Sequence, residues 1–327
     1  MMNKNSRIYI AGHRGLAGSA ILSTLYEQGF HNCILRTHAE LDLQQASAVD
    51  AFFSAERPEY VFLAAAKVGG IMANHTYPAD FIKNNLQIQT NVIDAAYKHG
   101  VKRLLFLGSS CIYPRACPQP IREEYLLTGP LEPTNQPYAV AKIAGIEMCW
   151  SYNRQYGTRY LAVMPTNLYG PGDNYDLQTS HVMPALLRKI YLAAYEQQSE
   201  VLVWGTGTPR REFLYSSDFA NACVYLMNLS DPDSEKLFTS DNPPLVNIGY
   251  GEDITIRELA EMIAEIAGFR GKLVFDTSKP DGTPRKLLDS SRLHGLGWRP
   301  AIDLRTGISL VANSALEILK SSSISTY

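Results

Sequence analysis

The sequence predicts an α/β protein built on a doubly wound parallel sheet, with a smaller mixed α/β lobe toward the C-terminus. Three observations carry this expectation. Short apolar runs alternate with helix-period segments from the first residues onward, a glycine-rich turn separates the first run from the first helix, and the alternation loosens after Pro165. At 327 residues the chain exceeds the roughly 250–300 residues beyond which one hydrophobic core stops growing, so two lobes are expected.

Strands are predicted at residues 8–11, 33–36, 60–63, 104–107 and 160–164, with helices at 17–28, 46–55, 79–98 and 139–155 between them. Beyond Gly170-Pro171-Gly172 the expected elements are a helix at 184–195, a strand at 201–203, a helix at 218–227, a strand at 246–248, a helix at 256–267 and a strand at 272–275. The reading is a first unit over 1–170, with a segment around 215–250 returning to its sheet, and a second lobe over 171–327.

Apolar residues make up 46% and charged residues 19%, and the net charge is −2. That balance argues against a nucleic-acid footprint and against a polyanionic partner. The five cysteines, Cys33, Cys111, Cys117, Cys149 and Cys223, are scattered and lack zinc-site spacing. No metal is expected, and reduced thiols point to the cytoplasm. Residues 1–6 are polar, unlike a signal peptide, and no apolar run reaches the ~20 residues that a membrane span needs.

The segment Gly12-His13-Arg14-Gly15-Leu16-Ala17-Gly18 spaces three glycines between an apolar strand and a helix. Glycine is needed for the tight turn, for backbone approach to a pyrophosphate and for close helix packing, with the phosphates at the positive helix end. In the first strand-to-helix unit this reads as a Rossmann-type dinucleotide site rather than a plain turn. The second strand ends at Arg36, where an NAD site would usually carry an acid for the ribose hydroxyl. Arg36 and Arg14 together offer guanidinium forks to a 2′-phosphate, which favours NADP over NAD. The plainer reading of Arg36 is a solvated strand end. Asp42 and Leu43 stand within reach of an adenine, and Ala64 opens a run of small residues where backbone passes close to a cofactor.

Tyr138 and Lys142 lie four residues apart, hence on one helix face. A tyrosine that protonates a carbonyl accepting hydride needs its phenolate stabilised, and a lysine cation does this. Such pairs arise by chance in a chain with 19 tyrosines, so position decides. The pair opens a helix after the fourth strand, which ends at Leu107-Gly108-Ser109-Ser110-Cys111, and ligands in open α/β sheets bind at the carboxyl ends of strands. Ser109 can donate to the same carbonyl oxygen, although a turn cap is its plainer role.

Through the Gly12-Gly15-Gly18 loop, Ser109 and the Tyr138/Lys142 pair, the chain resembles the extended short-chain dehydrogenase/reductase superfamily. Segments 12–15, 64–70, 108–113, 165–171 and 279–286 look like those of one family within it, the GDP-L-fucose synthases. These are 3,5-epimerase/4-reductases of GDP-4-keto-6-deoxy-D-mannose. The resemblance implies NADP(H) as cofactor and a GDP-sugar as substrate. By resemblance, Cys111 is the base and His181 the acid of epimerisation; a neighbouring imidazolium is one way to lower the thiol pKa. It also implies that His38, Leu107, Gly108, Ser110, Pro165, Thr166, Asn167, Leu168 and His181 border the cofactor, and that Lys189, Trp204, Arg211 and Asp281 line the sugar-nucleotide pocket. A homodimer through the helices at 79–98 and 139–155 is the family expectation.

Taken singly, Cys111 reads as a small buried hydrophobe, His181 as a loop residue and Trp204 as core. Two other functions stay open on the residues alone. One is a nucleotide-sugar 4-epimerase or dehydratase of the same superfamily, against which stands the lack of acidic residues after Ser109. The other is a non-catalytic NADP-sensing protein, which could lose Ser109, Tyr138 or Lys142 without penalty.

Overall fold

The computed structural model describes residues 1–312 apart from Gln178, Ser240 and Pro280; residues 313–327 of the predicted second lobe lie outside the described residues. In chain order the strands are β1 (Ile8–Ala11), β2 (Cys33–Ile34), β3 (Tyr60–Leu63), β4 (Arg103–Leu107), β5 (Tyr160–Pro165), β6 (Asn167–Tyr169), β7 (Glu200–Trp204), β8 (Arg210–Tyr215), β9 (Leu245–Ile248), β10 (Asp253–Thr255), β11 (Lys272–Asp276) and β12 (Arg285–Lys286). The α-helices are α1 (Leu16–Glu27), α2 (Ala46–Glu56), α3 (Ile71–Thr76), α4 (Pro78–Lys98), α5 (Gln136–Tyr156), α6 (Val182–Tyr195), α7 (Ser216–Met227), α8 (Asp231–Glu235), α9 (Ile256–Ala267) and α10 (Ser291–Gly295). A further helical segment begins at residue 304.

The main sheet is parallel with order β2-β1-β3-β4-β5-β9, the α/β architecture that the alternating pattern predicts. Each of β1, β3 and β4 is buried throughout, which is why they read as continuous apolar runs rather than alternating ones. Alternate side chains feed opposite cores. Tyr9, Val61, Leu63, Leu104 and Phe106 pack with residues of α2, α4 and α5, whereas Ile8, Ile10, Phe62, Leu105 and Leu107 pack with residues of α1 and α7.

A third core lies in the second lobe, where Leu186, Leu187 and Ile190 of α6 meet Leu259, Ala260 and Ile263 of α9 and the strands β7 and β8. Here β8 is the hinge of the layout. Its first half pairs with β10 and β12, and its second half pairs with β6, which directly follows β5 of the main sheet.

The apolar runs located the main-sheet strands, but β2 ends at Ile34, short of the predicted residue 36. The short elements β6, β8, β10, β12, α3, α8 and α10 carry no clear period and escape sequence reading. In β8 the reason is visible: Arg210, Arg211 and Glu212 open the strand, and their charges are met by tertiary partners such as Asp253. The termini of α5 follow local rules, with Pro137 in its first turn and Gly157 in the left-handed conformation at φ 67°.

α5 approaches the sheet closely because position 145 is glycine. A Cβ there would lie 2.4 Å from the Phe106 ring, so any side chain pushes the helix off β4. Gly145→Ala is expected to destabilise the protein by about 1–3 kcal/mol, the usual cost of overpacking a dense core. Urea unfolding checks this: the midpoint falls, and an unchanged midpoint would mean that the helix is free to move outward.

Candidate active site

Because β1, β3, β4 and β5 are parallel and in register through Ala11, Leu63, Phe106 and Ala162, the segments that follow them emerge along one edge. The turn after β1 packs directly on the turn after β3: a Cβ at Gly12, whose φ is +86°, would sit 2.7 Å from the Ala65 nitrogen. Only glycine fits, and the small residues from Ala64 onward meet the same constraint. Gly18 does the parallel task inside α1, where a Cβ would lie 2.1 Å from the Gly12 carbonyl oxygen. The order reverses between β1 and β3, the switch point where such sheets open a ligand crevice.

α1 starts after Gly15 with no side chain capping it, so the N–H groups of its first turn, including those of Leu16 and Ala17, present positive charge to a ligand. The His13 Nδ1 atom beside it is buried without a partner. Glycines where backbone packs on backbone, an uncapped helix start and an orphaned polar atom together fit a dinucleotide pyrophosphate.

Arg14 and Arg36 both lie near Glu40. The Glu40 carboxyl, held low mainly by hydrogen bonds from Thr37, also feels both guanidiniums. Arg36 donates to Glu56 at 2.5 Å and to the Leu35 carbonyl at 2.8 Å, and Glu56 is shared with Arg7, so one face of the fork is oriented by the protein. His38 is exposed and lies 3.8 Å from Asp42. Asp42 in turn accepts from the Gln44 N–H at 3.0 Å, and the Leu43 side chain is buried in the core. Leu43 therefore offers backbone rather than side chain to a ligand.

The catalytic candidates gather where β4 meets α5. Lys142 Nζ donates to the Leu107 carbonyl at 2.7 Å and lies 4.8 Å from the Phe106 ring centre and 5.7 Å from that of Tyr138. Burial pushes its pKa down to about 8, partly countered by Cys111. Ser109, in extended backbone, accepts from the Cys111 N–H at 3.4 Å, and its hydroxyl is the hydrogen-bonding neighbour of both the Cys111 thiol and the Tyr138 phenol. Burial raises the Tyr138 pKa, reinforced by Cys111. The phenol therefore starts protonated, as an acid must. Its ring packs edge-on against Phe81, with centroids 6.2 Å apart. Gly108 donates to the Val163 carbonyl, and Ser110 is buried behind the turn.

After β5, Thr166 and Asn167 donate from their side chains to the Glu212 carbonyl at 3.1 and 2.8 Å, anchoring the Pro165–Leu168 segment to β8. His181 occupies the N-cap of α6. Its ring is open to solvent on one side, yet the protein around it lowers its pKa by desolvation. The charged side chains that act on Cys111 lie elsewhere. Burial raises the Cys111 pKa, and the cations that oppose it are Lys286 and then Lys142. Sequence spacing held no signal for Lys286, which arrives on β12 from far along the chain.

The second lobe presents Trp204 with 53% of its surface exposed, so it is not core. Lys189 Nζ lies 5.1 Å from the indole and donates to the Leu202 carbonyl at 3.1 Å. Arg211 donates to the Arg210 carbonyl, and burial lowers its pKa, with Asp281 acting in the opposite sense. The Asp281 carboxylate accepts from the Thr206 N–H at 2.7 Å and the Thr206 hydroxyl at 2.8 Å. It clasps its loop to the turn after β7, a structural tie that sequence reading did not anticipate.

Comparison with known proteins agrees with this geometry. Residues 8–249 match the NAD dependent epimerase/dehydratase family. The chain is 58% identical over 309 residues to GDP-L-fucose synthase 1 of Arabidopsis thaliana, covering 94% of this chain and 93% of the relative. It is 54% identical over 306 residues to the GDP-L-fucose synthase of Escherichia coli (strain K12), covering 93% and 94%. Among solved structures, a GDP-L-fucose synthetase from Naegleria fowleri bound to NADP superposes with a TM-score of 0.86 at 27% identity, covering 98% of this chain and 97% of that one. With its glycine turn, its Ser109, Tyr138 and Lys142 cluster and relatives of more than 50% identity along nearly its whole length, the chain belongs to the NAD dependent epimerase/dehydratase family, in the group of the GDP-L-fucose synthases.

Proposed function

We propose that the chain converts GDP-4-keto-6-deoxy-D-mannose to GDP-L-fucose, by epimerisation at C3 and C5 followed by NADPH-dependent reduction of the C4 ketone. The observation that carries this is the placement of Cys111 beside Ser109, Tyr138 and Lys142, a proton-abstracting group within a reductase cluster. The likeness to the named synthases supports the substrate.

NADPH, when bound, supplies the hydrogen and electron pair that reduce C4. The Gly12–Gly18 turn would hold its pyrophosphate, Arg14 and Arg36 its 2′-phosphate, and the segments at Ala64, Leu107–Ser110 and Pro165–Leu168 would border the rest. In epimerisation, Ser109 and Tyr138 hydrogen-bond the C4 oxygen and carry the charge of the enolate. Cys111 takes the proton from the carbon beside the carbonyl, and His181 returns one to the opposite face. Desolvation of His181 makes its imidazolium a stronger acid. In reduction, Tyr138 gives its proton to the same oxygen, and Lys142 compensates the phenolate left behind.

Lys189, Trp204, Arg211 and Asp281 would line the sugar-nucleotide pocket, with Arg211 on the diphosphate, Trp204 as an aromatic face and Asp281 accepting from the base or a ribose hydroxyl. The cofactor half is read as residues 1–170 with the return around 215–250, and the substrate half as 171–327. A homodimer through α4 and α5 is supported by the exposed Tyr97, Val140 and Tyr156 on those helices. A cytoplasmic setting is supported by cysteines that are all free. No helix among the described residues is long and apolar enough to cross a membrane.

Steady-state NADPH oxidation with the keto sugar tests the proposal; no consumption would refute it. Cys111→Ser is expected to lose exchange of the C3 and C5 hydrogens by roughly 100-fold or more, the scale of a general base. Tyr138→Phe should instead mainly lose reduction, and equal losses in both steps would remove the separate roles. The reduction step should also slow as pH rises through about 8, where Lys142 gives up its proton. The charged form lies below that value and is the one needed. Lys142→Arg should move this limb out of the accessible range, and an unmoved limb would assign it to another group.

A further inference from the structure

Arg36 lies beyond the last residue of β2, Ile34, so no strand ladder fixes it. An arginine side chain has many rotamers, and immobilising it on a ligand weakens binding unless the fold has already done so. Three contacts do so here. Arg36 Nη2 donates to Glu56 Oε1 at 2.5 Å, Nη1 donates to the Leu35 carbonyl at 2.8 Å, and the guanidinium carbon stands 5.6 Å from the centre of the Phe52 ring.

Two of these contacts come from one face of α2, because Phe52 and Glu56 are four residues apart on that helix. Phe52 is itself held in the core beneath α2, its ring 4.7 Å from that of Tyr9 and 5.5 Å from that of Phe53. The carboxylate that closes the helix is therefore presented to Arg36 by a fixed surface. Its second oxygen, Oε2, accepts from Arg7 Nη2 at 3.0 Å, on the residue that precedes β1. Glu56 thus divides its charge between two guanidiniums, and two cations against one carboxylate leave one positive charge. A guanidinium carries five N–H donors. Glu56 and the Leu35 carbonyl engage one on each terminal nitrogen of Arg36, which leaves capacity for a phosphate.

We infer that Glu56 is a positioning residue for cofactor selection: from the end of α2 it holds the Arg36 guanidinium in place for the 2′-phosphate of NADPH. This rests on the 2′-phosphate role proposed for Arg36. Glu56 does not bind the phosphate, whose charge it repels; it acts by fixing the side chain that does. NADH carries a hydroxyl at that place and gains nothing from the arrangement. Glu56 therefore contributes to NADPH affinity and not to NADH affinity.

The test titrates the full-length protein with NADPH and with NADH, follows the fluorescence of the bound nicotinamide, and compares the two dissociation constants. Glu56→Ala should weaken NADPH roughly fivefold, the scale of immobilising one rotamer-rich side chain, and leave NADH where it is in wild type. Glu56→Gln keeps an acceptor for Arg36 without the repelling charge, so it should retain the wild-type preference or exceed it. NADPH affinity unmoved or raised in Glu56→Ala, an equal loss for both cofactors, or a loss in Glu56→Gln as large as that in Glu56→Ala overturns the inference. Arg36→Met tests the reading beneath it and should abolish the preference for NADPH. If that preference survives in Arg36→Met, the 2′-phosphate role of Arg36 falls. If it is abolished there while Glu56→Ala binds as wild type does, only the role of Glu56 falls.

Discussion

The buried ammonium of Lys142, donating to the Leu107 carbonyl at 2.7 Å, ties the catalytic helix to the end of the strand that carries Ser109 and Cys111. Burying an ammonium is costly, and its pKa falls to about 8 as a result. The cost is met by the strand-end carbonyl and by the Phe106 and Tyr138 ring faces. This contact in turn needs α5 pressed against β4, which the glycine at position 145 permits. Tyr138, one turn earlier on the same helix face, is then carried to the Ser109 hydroxyl without a separate device.

A second constraint joins the lobes. Glu212 is fully buried in β8; its carboxylate accepts from the Gly251 and Leu288 N–H groups, and its carbonyl accepts from the side chains of Thr166 and Asn167. Burial raises its pKa while those N–H donors oppose the rise. One residue thus fixes the segment after β5, the turn after β9 and the chain leaving β12.

Much of this was legible in the residues. The glycine turn after β1, the ends of β4 and β5 and the helix opening at Tyr138 follow from apolar runs and local spacing, because in a parallel sheet the segments after consecutive strands are brought to one edge. The second lobe was harder to read. β8 and β12 begin with charged residues whose partners lie far away in the chain, so no local period marks them. Asp281, which the likeness to known synthases suggests as a ligand-binding group, also accepts from the Thr206 N–H and hydroxyl, a tie between distant loops that no local pattern marks.

If one cluster serves both reactions at one carbonyl, the isotope pattern of the product must record it. Turnover of the keto sugar with unlabelled NADPH in deuterated water, read by proton NMR of the isolated nucleotide sugar, should give deuterium at C3 and C5 and protium at C4. A product reduced at C4 with protium retained at C3 and C5 would contradict the shared site.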